Sequence, residues 1–466
     1  MTTEVKQEIS EQGNPITEGI IWKQLLLFFF PILFGTFIQQ LYNTADAMIV
    51  GRFVGKEALS AVGGSTGMLT LMIVEFFVGL SSGSSVLVSQ YYGAKRPEMV
   101  SLAVHTSIAF NVGIGIVTMI AGILLTPWML TAMGTPEDVL DLSIIYLRVY
   151  FLGITSNLLY NTGAAILRAV GDSRRPLYIL MASCGTNIIL DILFVVVLEL
   201  GVLGAALATI ISQGFSAALV LVCLMRSTDT YQLHLRNIRL DSTMQIRIVK
   251  VGLPAGFQSV MYGLSNVIVQ SGINSLGTNT VAAWAAYSKI DALYWMMLTS
   301  FGISVTTFAG QNYGADKTKR VHGGVRWCML LALAASLFVS LILYKWGVNC
   351  FYLFTTDKEV IQIGKDMMHY LVLLYSFYVP IEVFSGALRG VGDCLMPMIL
   401  CLFGVCVIRI SWMLFVVPMK PDMYTIMFSF PLTWVITMVL FLVYYLFFSR
   451  LGIRRQEIER KRNLQR

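Results

Sequence analysis

The sequence predicts an all-α integral membrane protein, with 12 transmembrane helices in two six-helix lobes related by a parallel internal repeat. Three observations carry that expectation: a composition poor in charge, apolar runs of membrane-crossing length, and two motifs that recur at one spacing. Of 466 residues, 56% are hydrophobic and 13% charged, and the mean hydropathy is +0.72. A soluble domain carries about a quarter charged residues. A chain this poor in charge cannot keep a water-facing surface and dissolves in lipid.

Twelve apolar runs of about 20 residues or more can each cross the ~30 Å hydrocarbon layer as a helix. They fall near 25–50, 58–88, 101–126, 138–166, 177–198, 202–225, 247–275, 280–310, 322–347, 359–388, 396–418 and 425–448. The longest polar interruption, 227–245, lies near the middle. We therefore expect an N-terminal lobe over 1–226, a cytoplasmic linker over 227–245, a C-terminal lobe over 246–448 and a basic cytoplasmic tail over 449–466. The first 19 residues are polar and carry no cleavable apolar signal, so the chain is expected to enter the membrane by its own first helix. With the N-terminus inside, 24 of the 33 lysines and arginines fall on inner segments, 6 on outer segments and 3 within helices. That bias puts both termini in the cytoplasm. It also explains the net charge of +7 without a nucleic-acid partner.

The repeat is legible in the residues. Gln90-Tyr91-Tyr92-Gly93-Ala94 returns 221 positions later as Gln311-Asn312-Tyr313-Gly314-Ala315. Leu167-Arg168-Ala169-Val170-Gly171-Asp172, with Pro176, returns at the same spacing as Leu388-Arg389-Gly390-Val391-Gly392-Asp393 with Pro397. Two separate motifs in one register imply a duplicated unit. Each copy holds an even number of helices, so the copies share one orientation and their symmetry axis runs along the membrane normal. In so apolar a chain, a doubled unit points to a transporter whose halves rock about a shared cleft.

These residues resemble the multidrug and toxic compound extrusion (MATE) family, over nearly the whole chain. The resemblance rests on twelve helices, the mid-chain linker, the Gln-x-Tyr-Gly-Ala and Leu-Arg-x-x-Gly-Asp segments of both halves, and the correspondence of Pro31 and Asn43 with Pro254 and Asn266. It implies a secondary exporter with a V-shaped central cleft. Organic compounds, cationic and amphipathic, would leave in exchange for Na⁺ or H⁺ entry. It also implies a bacterial inner (plasma) membrane. Lipid-linked oligosaccharide flippases of the wider superfamily are the alternative, since fold alone does not choose the cargo.

An ionised carboxylate in hydrocarbon demands a partner, a proton or a cation. Asp46 and Asp191 each lie about seven residues from the outer end of their helices, and Asn187 shares a face with Asp191. Thr209 lies at similar depth, so all four cluster roughly 10 Å below the outer surface. Such a set suits Na⁺, or a proton held by mutual repulsion of the acids; the plainer alternative is hydrogen bonding of both acids to neighbouring groups. Asp46, Asn187, Asp191 and Thr209 match the cation-site pattern of the family's DinF-like branch, with Tyr146 and Asn161 as expected supporting partners. The second-half counterparts of the two acids are Val269 and Trp412. The positions that are acidic in the NorM-like branch are here Tyr262 and Tyr378. Ion coupling is thus expected in the first half alone. Pro31 removes a backbone donor inside the first helix and permits a kink, either a static bend or one reset by charge change at the acids.

In the second half, Glu382 and Asp291 are candidate cargo contacts, with Arg409 an alternative partner for Glu382. Lys289 and Asp291 are two residues apart and face different sides. The Arg-x-x-Gly-Asp segments read as structural, the glycine ending a helix and the Arg and Asp tying helix ends. Aromatic and methionine side chains offer an adaptable apolar wall. Seven scattered cysteines and four histidines support neither a disulfide framework nor a metal cage. No phosphate-binding Gly-rich loop and no His-Glu-x-x-His motif is present, which argues against ATP-driven pumping and intramembrane hydrolysis. Only Arg148, Lys289 and Arg409 lie within helices, too few basic groups to hold a pyrophosphate lipid. No cofactor is expected beyond the coupling ion. The partners are small organic substrates and the bilayer, and the chain is expected to act as a monomer.

Overall fold

The computed structural model describes residues 14–452. Most of the expected basic tail lies outside them. Every regular element among the described residues is helical, because a spanning backbone in lipid must satisfy its own hydrogen bonds. The first half runs α1 (Ile21–Phe53), a short helix Lys56–Gly63 leading into α2 (Ser65–Gly93), α3 (Pro97–Ala132), α4 (Glu137–Ala169), α5 (Arg174–Asp191, continuing as a π-helical turn over Ile192–Val197) and α6 (Gly201–Met225). The second half runs α7 (Ser242–Asn274), α8 (Thr278–Gly314), α9 (Thr318–Phe351), α10 (Lys358–Phe377 and Val379–Gly390, bent by 40°), α11 (Leu395–Met419) and α12 (Met423–Phe448). Ten of these are each long and apolar enough to span, and the bent α10 makes an eleventh. The twelfth, α7, has 33 residues but interleaves Gln258, Asn266 and Gln270 with its apolar positions.

Both repeated motifs are helix C-caps, which is why they recur. After α4, the Asp172 amide donates to Leu167 O at 2.9 Å and the Gly171 amide to Arg168 O at 3.0 Å. After α10, the same pair forms from Asp393 to Leu388 (2.9 Å) and from Gly392 to Arg389 (2.9 Å). This crossed pair needs a left-handed residue, and Gly171 (φ 100°) and Gly392 (φ 84°) supply it. The other motif ends in the same way at Lys95 (φ 53°) and Asp316 (φ 60°), one repeat apart. Asp172 then caps α5, accepting from the Arg174 and Arg175 amides at 3.1 Å each.

Pro31–Val260 forms one compact unit; residues up to Phe30, together with those from Met261 on, form the other. The boundaries fall inside α1 and α7, not at 227–245, so the compact units differ from a division of the chain at its linker. The physical reason lies in what holds the entry to each helix. The segment before α1 is held by the second-half motif: Asn14 donates to Gln311 Oε1 at 2.9 Å, Asn312 to Ile16 O at 3.2 Å, and Lys317 to Thr17 O at 3.1 Å. The segment before α7 and the first turns of α7 are held by the first-half motif and by α3. Tyr92 donates to Asp229 at 2.9 Å, Arg247 to Tyr91 at 2.9 Å, and the His234 amide to His105 Nε2 at 3.0 Å. Within the Pro31–Val260 unit, Gly79 and Gly83 of α2 meet Gly252 and Gly256 of α7 with backbone against backbone, where any Cβ would clash. Small residues four apart allow this close crossing.

Candidate ion site and the polar interior of the second half

Four helices of the Pro31–Val260 unit each carry two polar side chains spaced i and i+4. They are Tyr42 and Asp46 of α1, Tyr146 and Tyr150 of α4, Asn187 and Asp191 of α5, and Thr209 and Gln213 of α6. One helical turn separates the members of each pair, so both lie on the same face. Asn187 and Asp191 are 0% exposed and Asp46 is 9% exposed. The two carboxyl groups face each other closely enough to share a hydrogen bond. Tyr146 sits beside both acids, Tyr42 against Thr209, and Tyr150 against Gln213.

Among the described residues no protein donor reaches the acids. Asp46 Oδ1, both oxygens of Asp191 and both amide atoms of Asn187 are buried without a conventional hydrogen-bond partner. Thr209 donates to Ala205 O at 2.9 Å, leaving its lone pairs available. Two carboxylates at such range repel unless something positive lies between them. The donor set is all oxygen: two carboxylates, an amide carbonyl and a hydroxyl. It fits a hard monovalent cation or a shared proton.

Asp46, Asp191, Tyr146 and, through Tyr42, Thr209 are thus brought together, and Asn187 lies one turn before Asp191 on the same face of α5. Asn161 is not. It lies fifteen residues past Tyr146 on α4, roughly 22 Å along the axis. Its amide is spent on Asn157, at 3.0 Å to the carbonyl and 2.9 Å to Oδ1. Sequence reasoning missed Tyr42, Tyr150 and Gln213, although the i, i+4 spacing that joined Asn187 to Asp191 would have found each. Pro31 lies within α1 at the first residue of this compact unit.

In the other unit Glu382 pairs with Arg389 on its own helix, at 3.5 Å, and not with Arg409. Seven residues, about two turns of α10, separate the pair, so both lie on one face of the helix. Arg389 therefore ties to its own helix, while Asp393 takes Tyr444 at 2.6 Å. Asp291 accepts from Trp295 Nε1 at 2.6 Å and from Tyr375, whose hydroxyl also meets Tyr287 at 2.6 Å. Lys289 is exposed and faces away from it. Tyr262 and Tyr378 hydrogen-bond each other at 3.1 Å.

A profile of the MatE family matches residues 31–193 and again 254–414. The chain belongs to the MatE family. The two matches open at Pro31 and Pro254, so the family's unit is the repeat itself. This MATE chain is 29% identical over 392 residues to the probable multidrug resistance protein YoeA of Bacillus subtilis, covering 83% of this chain and 84% of that one. It is 22% identical over 387 residues to the multidrug export protein MepA of Staphylococcus aureus, with 82% of each covered. The outward-facing conformation of a multidrug resistance MATE family transporter of the MOP superfamily superposes with a TM-score of 0.86 at 22% identity, covering 93% of this chain and 97% of that one. A MATE protein in complex with MaL6 gives 0.87 at 22% identity, covering 97% and 99%. At that identity the two share its fold. MATE proteins are membrane transporters rather than enzymes, and this chain is a multi-pass membrane protein of that kind.

Proposed function

We propose that this MATE chain is a secondary multidrug exporter, moving organic cations outward against inward movement of Na⁺ or H⁺ at the Asp46–Asp191 pair. Multidrug export is what the name of MepA states for that protein, and probable multidrug resistance what the name of YoeA states for that one. The observation that carries the ion role is two buried carboxyl groups facing each other with no protein donor. Asn187 and Thr209 complete the oxygen set, and Tyr146 closes it from α4. The acids face an energetic choice: both ionised around a cation, or one protonated. Either change of charge alters the packing of α1, which Pro31 leaves free to bend. The basic-residue bias supports cytoplasmic termini, which would set the acids in the outer half of a bacterial plasma membrane.

The test uses full-length protein in proteoliposomes, with efflux of a cationic dye driven by a Na⁺ gradient or by a pH jump. The driving gradient that works names the coupling ion. Asp191→Asn is expected to bring gradient-driven efflux to background while the protein is still made and inserted. Efflux at the wild-type rate in that variant rejects the assignment.

A further inference from the structure

The repeat places one more charge where none is compensated. Arg409 lies near the middle of α11, roughly 21 Å from its start at Leu395 and 15 Å from its end at Met419. It is 3% exposed. A guanidinium has five N–H donors. Here Nη2 donates to Thr433 Oγ1 at 3.2 Å, and the ring of Phe430 lies 4.3 Å from the guanidinium carbon. Nε is buried without a partner. The ionisable groups nearest to it are neutral in form: the Tyr262 and Tyr378 phenols and the Cys406 thiol. No ion pair among the described residues includes it. An unpaired charge at this depth is strongly disfavoured and calls for a counter-ion.

Its surroundings repeat those of the acids. In the Pro31–Val260 unit the acids lie among α1, α4, α5 and α6. Arg409 lies on α11 against residues of α7, α10 and α12, the counterparts of α1, α4 and α6. Phe430 stands 221 positions after Thr209, and Thr433 stands 221 after Ser212. Asp191 directly precedes the π-helical turn Ile192–Val197, and its counterpart Trp412 opens the π-helical turn Trp412–Val416. Arg409 is flanked on the other side by a second such turn, Leu402–Val407. Such turns widen a helix locally and gather at functional positions.

We propose that Arg409 anchors an anion site in the second half, taking either a carboxylate carried by the cargo or a halide ion. The Nε–H is its donor, since the Thr433 hydroxyl is spent on Ser429 O at 2.8 Å, and the adjoining π-helical turns let α11 yield to admit the anion. This rests on the export reading above and adds to it a preference for cargo of mixed charge, or a dependence on chloride.

The experiment compares two dyes with one ring system, in chloride and in gluconate, using full-length protein in proteoliposomes. Rhodamine 19 carries a free carboxylate; rhodamine 6G is its ethyl ester. If cargo supplies the anion, Arg409→Met raises KM for rhodamine 19 by roughly tenfold, the worth of a charge-assisted hydrogen bond, and changes that for rhodamine 6G by less than about twofold. If a halide supplies it, wild-type transport of both dyes falls in gluconate, and Arg409→Met removes that dependence. Equal changes for both dyes with no chloride dependence overturn the proposal and leave Arg409 a packing residue. If the variant does not fold, wild-type melting in detergent decides. A higher melting temperature with chloride or rhodamine 19 than with gluconate and rhodamine 6G supports the site, and equal melting overturns it. Failure of the wild type to move rhodamine 6G strikes the export reading instead, and the melting comparison still judges the anion site by itself.

Discussion

The corresponding helices of the two halves enclose opposite charges. Among the described residues, Asp46 Oδ1 and both oxygens of Asp191 lie around α1, α4, α5 and α6 without a donor, and Arg409 lies around α7, α10, α11 and α12 without an acceptor for its Nε. The second half also keeps a carboxylate, Asp291, but satisfies it with Trp295 and Tyr375. Duplication has therefore preserved the backbone caps, while the interior chemistry has diverged. A satisfied carboxylate is held as structure. An unsatisfied pair can be filled and emptied.

The sharpest way to break this contrast is to neutralise the two kinds of acid in parallel. Asp46→Asn is expected to remove ion-driven efflux, as Asp191→Asn does, whereas Asp291→Asn retains it within about threefold because its neighbours can bond an amide as well. Loss of coupling in Asp291→Asn would show that both halves carry the ion. A smaller effect is expected on stability from Glu382→Gln, which leaves Arg389 half-buried without its counter-charge. Such losses amount to about 2 kcal/mol, read as a lower melting temperature with dye efflux preserved.

The caps test the other side of the comparison, where the halves should behave alike. Gly171→Ala and Gly392→Ala each force a β-carbon into a left-handed position, at about 1 kcal/mol, and the two losses should match within error by thermal melting. The smallest expected effect is at Asp422, which caps α12 by accepting from the Thr425 amide at 2.6 Å. That backbone hydrogen bond holds its carboxyl below the usual range. Its contribution is therefore present above the unfolded carboxyl value of about 4 and is lost as pH falls through the lower folded value. Asp422→Ala should lower the melting temperature slightly at pH 7 and make no difference in strong acid, while Asp422→Asn keeps the cap throughout.

Much of the site was readable before any coordinates. Asp46 and Asp191 announce themselves because a carboxylate in an apolar run needs a reason, and Asn187 follows from its spacing to Asp191. Tyr42, Tyr150 and Gln213 stayed hidden because a tyrosine or glutamine in a membrane helix has many ordinary uses. Asn161 was misplaced for the complementary reason: a polar residue on the right helix can still lie four turns away. The partner of Glu382 was misread: the sequence suggested Arg409 on the next helix, and only packing showed Arg389 on its own helix.

The sequence by itself determined the membrane class, the twelve-helix count and the doubled unit. Hydrophobicity and repetition are additive along a chain and need no partner to be seen. Tertiary structure alone decided that each half's capping motif holds the entry segment of the other half's first helix, so that the compact units divide within α1 and α7. It also decided that Arg409 remains uncompensated while Asp291 does not. Those outcomes depend on which side chains meet across helices, and the free energy of a buried charge is set by those neighbours rather than by its place in the sequence.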